Sequence, residues 1–125
     1  IEENRLNQNI TLHIIKNDNE IMNLLENNNA IISYSDVESF HYSFAEGLLS
    51  GLEGFCNGWR ELNPQYFWDN WCYPNEKEFI KALLDWGDSS IDARIKKSLK
   101  NKSYIIDNFS AEKIGQDYLN LLTSL

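Results

Sequence analysis

Two glutamates, Glu38 and Glu46, stand eight positions apart in the segment ESFHYSFAEG, residues 38–47. A carboxylate only accepts hydrogen bonds, so its natural neutral partner is a pair of hydroxyls, as on a sugar or a ribose. Were the whole interval helical, the two acids would lie roughly 12 Å apart along the axis. That is too far to share one proton or to flank one scissile bond, where about 5–9.5 Å applies. It suits one acid at each end of an extended ligand. A plainer reading stays open, because a glutamate at a helix start compensates the dipole and an exposed one is merely solvated. Glu46 lies between Ala45 and Gly47 in an apolar run, where a carboxylate needs a partner.

The flanking segments say what these acids would stand on. Residues 10–15, ITLHII, predict a strand that is apolar on both faces. Asn17 and Glu20 have the spacing of a capping box, Ile21, Met22, Leu24 and Leu25 give the helical stripe, and Asn27–Asn29 end it. Residues 30–35, AIISYS, predict a second strand, so that strand, helix and strand form a βαβ unit with parallel strands. Tyr42, Phe44, Ala45, Leu48 and Leu49 fit a short buried helix closed by Gly51, and residues 54–57, GFCN, a third strand. In an open parallel sheet, ligands bind beyond the carboxyl ends of the strands, and Glu38 falls three residues past the second one. Helix N–H groups from about Phe40 to Ser43 would face the same crevice and favour an anion such as phosphate.

Beyond the third strand, WRELNPQYFWDNWCYP has neither helical nor strand period and predicts irregular structure with a turn of helix after Pro64. Trp59, Trp68 and Trp71 in it are able to stack on a sugar, although packing into a core is the favoured role. Residues 76–86 predict an amphipathic helix with Phe79, Ile80, Leu83 and Leu84 inward. Another helix opens near Ser89 or Ser90 and carries Ile91, Ile95 and Leu99 at fourfold spacing. A last one has Ser110 as N-cap and Phe109 with Ile114 as a hydrophobic staple. The expected fold class is α/β, a partial doubly wound (Rossmann-like) parallel sheet with helices, in a single domain over residues 1–125. Three strands, where such a domain has five or six, predict the later part of one, cut on its N-terminal side.

The 125 residues carry a net charge of −8 with a pI near 4.6, which argues against nucleic acid and anionic membranes as partners. Lys96, Lys97, Lys100 and Lys102 read as a solvated helix face. No apolar run approaches the roughly 18–20 residues of a membrane span. Cys56 and Cys72 have neither metal-like nor redox-like spacing, although a single bond between them stays open, and His13 and His41 are far apart. No metal or other cofactor is expected. The few cysteines point to a reducing, cytoplasmic setting.

The stretch SDVESFHYSFAEGLLSGLEGFCNGW resembles the region around the E-x7-E motif of retaining glycosyltransferases with the two-Rossmann GT-B fold (group 1, family 4-like). The positions that match are Glu38, Ser39, Phe40, His41, Glu46, Gly47 and Gly51, and the tail NFSAEKIGQDYLNLL is similar to that family's closing helix. Ser39 and His41 replace glycines of the family pattern, and Glu53 stands where a proline is common. The resemblance implies the C-terminal, donor-binding part of a metal-independent hexosyltransferase. Glu46 would bind the ribose hydroxyls of a nucleotide-sugar donor, and Glu38 the sugar hydroxyls, with an electrostatic role at the reacting carbon. Ser39 and the backbone amides of Phe40, His41 and Tyr42 would approach the diphosphate. A sugar or glycolipid acceptor would bind through an N-terminal domain that the chain lacks. The chain alone would be inactive, peripheral to a membrane at most in its full-length form, and open to self-association at the cut sheet edge. A glycosyltransferase-like interaction module without catalysis, and an unrelated α/β binding domain, are the alternatives.

Overall fold

A computed structural model of the chain describes residues 11, 13–35, 40–57, 68 and 70–124. In chain order these form α1 (Asp18–Glu26), β1 (Ala30–Ser33), α2 (Tyr42–Leu49), β2 (Glu53–Asn57) and β3 (Cys72–Tyr73). There follow α3 (Glu76–Gly87), α4 (Ile91–Phe109) and α5 (Ala111–Thr123). The result is a small parallel sheet flanked by helices.

The three strands lie in the order β1-β2-β3, and both pairs are parallel. A parallel pair cannot be joined by a tight turn, so the chain must cross over one face, and α2 is that crossover between β1 and β2. It lies directly on the sheet because residue 47 has no side chain. A Cβ there would come within 2.8 Å of two Ile31 carbons. The helix ends as sharply as it begins. Gly51 takes φ +92°, and the Gly51 and Leu52 N–H groups donate to the Leu48 and Gly47 carbonyls, both at 3.0 Å. This paired closure needs a residue that tolerates positive φ, which is why the predicted glycine cap holds.

Strand alternation sorts the core into two faces. Cys56 and Cys72 face α2 and α4, where Phe44, Leu48, Trp68, Trp71 and Ile105 fill the main core. Each such fully buried apolar side chain contributes about 1.5–3 kcal/mol. Phe55 and Tyr73 face the other way, and an aromatic cluster with Tyr34, Phe79 and Trp86 attaches α3. Phe79 and Trp86 are seven apart, so the buried stripe of α3 leaves Ile80 and Leu84 on the exposed flank, contrary to expectation. Tyr42 and Leu49 are likewise exposed, because α2 buries the face of Phe44, Ala45, Gly47 and Leu48. Trp68 and Trp71 pack in the core, whereas Trp59 and the predicted turn after Pro64 lie outside the described residues.

A buried acid holds the amino edge of the sheet. Glu53 opens β2 and is 3% exposed; its Oε1 meets the Lys97 ammonium at 2.8 Å. Its Oε2 accepts from Asn101 Nδ2 at 3.2 Å, and the same nitrogen donates to the Leu52 carbonyl at 3.0 Å. Lys97 is therefore not simply part of a solvated face. The registration of α4 follows from this network, which turns Asn101 and Ile105 inward and leaves Ile91, Ile95 and Leu99 exposed. Fourfold apolar spacing marked a real helix, and the stripe it follows lies on the exposed face.

The strand predicted at residues 10–15 is not found where it can be seen. Residues 13–15 belong to no strand and Ile14 is 83% exposed, while residues 10 and 12 lie outside the described region. β propensity supplies an extended backbone, but a ladder needs a neighbour, and the sheet described here begins with β1. The capping box of α1 forms with a one-residue shift: Asn17 Oδ1 accepts from the Glu20 N–H at 3.1 Å, and the Glu20 carboxylate accepts from the Lys16 N–H at 2.8 Å. β3 was not expected at all.

Two predictions follow from this packing. Glu53→Ala is expected to cost about 1–3 kcal/mol in urea unfolding, below the usual figure for breaking a buried pair because Lys97 is half exposed and swings into water. Burial raises the Cys56 thiol and the Tyr73 phenol above their ordinary 9.0 and 10.0, reinforced by Cys72 for the first and by Glu53 for the second. Above about pH 9 the unfolded chain then releases protons that the folded chain keeps, so stability falls with pH, by up to about 1.4 kcal/mol per unit for the buried Cys56 and by less for the half-exposed Tyr73. Urea midpoints at pH 8 and pH 10.5 measure that loss.

Candidate functional site

The carboxyl end of the β1–β2 pair is where a parallel sheet offers a ligand site. β1 leaves the ladder under control of a side chain. Asn57 Oδ1 accepts from the Ser35 N–H at 2.9 Å, and Asn57 Nδ2 donates to the Ser35 carbonyl at 2.8 Å. The carboxamide thus imitates one further ladder residue. Residues 36–39 follow, and with them Glu38 and Ser39 lie outside the described residues. The chain is described again at Phe40, whose ring packs against Tyr42 and Phe109 at 5.1 Å and Trp68 at 5.2 Å between centroids.

His41 sets the start of α2. Its Nδ1 accepts from the Phe44 N–H at 3.4 Å, which places the ring hydrogen on Nε2. The first two helical residues, Tyr42 and Ser43, have N–H groups with no acceptor inside the helix, and these point along the axis toward the carboxyl edge of β1. Histidine is an uncommon cap. A glycine here would leave the Phe44 N–H without this acceptor.

Glu46 is exposed on α2 and stands between two cavities. One, of about 520 Å³, has Phe40, Tyr42, Glu46, Leu49, Asn108 and Phe109 among its lining residues. The other, of about 590 Å³, adjoins α1 and brings Glu46 together with Asp18, Glu26 and Lys102. Of the residues singled out in the sequence, Phe40, Tyr42 and Glu46 therefore share one concave surface. His41 contributes by fixing the helix. No lysine or arginine is among the residues that line the first cavity, and Lys102 is the cation of the second.

This surface presents one carboxylate acceptor, aromatic walls, the start of a helix and the Asn108 carboxamide, whose Nδ2 already donates to the Tyr104 carbonyl. Among the described residues there is no cluster of three or more His, Cys, Asp or Glu side chains that could hold a metal, and no helix long and apolar enough to cross a membrane. Sequence reasoning missed Asn57 and Lys102. One asparagine in an asparagine-rich chain carries no distinguishing signal, and Lys102 looks like its lysine neighbours until α1 and α4 are placed side by side.

No family model, no curated protein and no solved structure matches the chain.

His41→Ala is expected to lower stability by about 0.5–1 kcal/mol through the lost cap, and His41→Asn to restore it. Equilibrium urea unfolding of the three proteins, followed by far-ultraviolet circular dichroism, measures this.

Proposed function

We propose that this α/β unit binds a nucleoside-diphosphate sugar and is the donor-binding part of a retaining glycosyltransferase. One observation carries the reading: α2 starts at the carboxyl edge of β1 and presents Glu46, unburied, on the same cavity as Phe40 and Tyr42. The volume of that cavity, about 520 Å³, falls in the range of about 300–1,000 Å³ usual for small-molecule sites. In this reading Glu46 accepts both hydrogen bonds of the ribose diol. Glu38 takes the donor sugar's hydroxyls and stabilises developing positive charge at its reacting carbon. Ser39 and the amides of Phe40, His41 and Tyr42 approach the diphosphate, with the helix dipole behind them. Cationic groups to hold the leaving diphosphate would come from residues outside the first cavity, and the acceptor from a second domain.

A second reading, an α/β interaction module without catalysis, is favoured by α5. That helix buries no residue and exposes Ile114, Tyr118, Leu121 and Leu122. One experiment separates the two. UDP, GDP, ADP and their sugars are titrated into the isotope-labelled protein and amide shifts are recorded. The donor reading expects saturable shifts in α2 with one of the bases and a loss of at least about tenfold in affinity for Glu46→Ala. Because Glu46 is exposed, the same variant should unfold within about 0.5 kcal/mol of the parent. No response in α2 to any nucleotide overturns the donor reading and leaves the interaction module.

A further inference from the structure

Register places three small polar side chains in one row across the sheet. Ser33 of β1 pairs with Cys56 of β2, and Cys56 pairs with Cys72 of β3. The register sets the two thiols side by side, and no disulfide joins them. Neighbouring strands are about 4.7–4.9 Å apart, inside the about 4.4–6.8 Å between α-carbons that a disulfide spans. Cys56 is fully buried, whereas Cys72 is half-buried, so of the two residues only Cys72 has surface open to solvent. The Ser33 hydroxyl beside Cys56 is buried and has no hydrogen-bond partner among the described residues.

We propose that Cys56 and Cys72 form a thiol–disulfide site that a low-molecular-weight disulfide oxidises in the folded protein, bonding β2 to β3. The Cys72 thiolate attacks one sulfur of the small disulfide, the S–S bond breaks, and the other half leaves as a thiolate. The Cys56 thiolate then attacks Cys72 Sγ and expels the second small thiol. Two protein thiols are oxidised, one small disulfide is reduced, and the two thiol protons end on the two released thiols. The order of events follows from access. The second step is the slow one, because burial holds the Cys56 thiol well above its ordinary range, so the rate rises with pH. Ser33 offers the developing Cys56 thiolate a donor that nothing else in the described structure uses.

The bond would close the chain from Cys56 to Cys72 and tie Trp71, the residue before β3, to the central strand. A closed loop of this length stabilises by restricting the unfolded chain, which corresponds to a rise in Tm of roughly 5–15 °C. By linkage the same stabilisation appears as a stronger tendency of the folded chain to form the bond.

Equilibration of the whole chain in mixtures of reduced and oxidised glutathione at pH 8, in buffer and in urea, tests this. After acid quenching, intact mass and peptide mapping report each species. The expected result is a bond linking Cys56 to Cys72, with an equilibrium constant at least about tenfold higher in buffer than in urea. The Cys56→Ser protein should stop at a glutathione adduct on Cys72, and the Cys72→Ser protein should stay unmodified until it is unfolded. An equal or lower constant in buffer overturns the proposal, since the fold would then give the pair no advantage over a random chain. Glutathione adducts in buffer without an internal bond overturn it equally.

Discussion

Everything that places Glu46 runs through the contact between α2 and β1. A crossover helix can lie this close to a strand only where its inward position has no side chain, and Gly47 meets Ile31 there with no room for a methyl group. Glu46 is the adjacent residue. The rotation of about 100° per residue that turns Gly47 onto the sheet turns Glu46 toward the outer face, above the two cavities. Its exposure is therefore a consequence of packing one residue further on. The start of α2 is fixed separately, by Phe40 in the aromatic cluster and by the His41 cap, and its end by the closure at Gly51. Eight residues of helix are thus held at both ends and in the middle.

The opposite edge of the sheet is organised by charge. Glu53 is buried where an apolar residue would cost nothing in desolvation, and two polar groups from α4 answer it. An apolar contact is tolerant of rotation, whereas Lys97 and Asn101 meet Glu53 and the Leu52 carbonyl in a single register of α4. That register brings Tyr104 and Ile105 onto the core and Phe109 against Phe40. A polar network at the amino edge of the sheet in this way sets the α4 wall of the cavity beside α2.

Much of this could be read in the sequence, and what could not has physical causes. Caps were legible because each is a local competition for backbone groups: Asn17, Ser90, Ser110 and Gly51 all act as their types suggest. Parallel pairing of β1 with β2 was legible because a helix lies between them. The inward faces of α3 and α4 were less so. Phe79 was placed correctly, but Ile91, Ile95 and Leu99 formed a better apolar stripe than the true one, which contains Asn101. Periodicity counts apolar residues, and a buried asparagine paid for by a buried glutamate is invisible to it. The two-residue strand β3 depends on a partner far along the chain and has no local pattern. Asn57 could not be named in advance, since its role exists only across the 22 residues that separate it from Ser35.

Ser110 ends α4 and caps α5 with no residue between. Its backbone N–H closes the first helix on the Ile106 carbonyl while its hydroxyl accepts from Lys113 to open the second. The bearing of α5 is accordingly governed by the two torsions of one amino acid. Thirteen residues make an arm of about 20 Å, so a swing of about 10° carries its far end about 3 Å. A lever of that kind, oily along one side and pivoted at a single joint, can be steered onto another surface while the sheet behind it stays still.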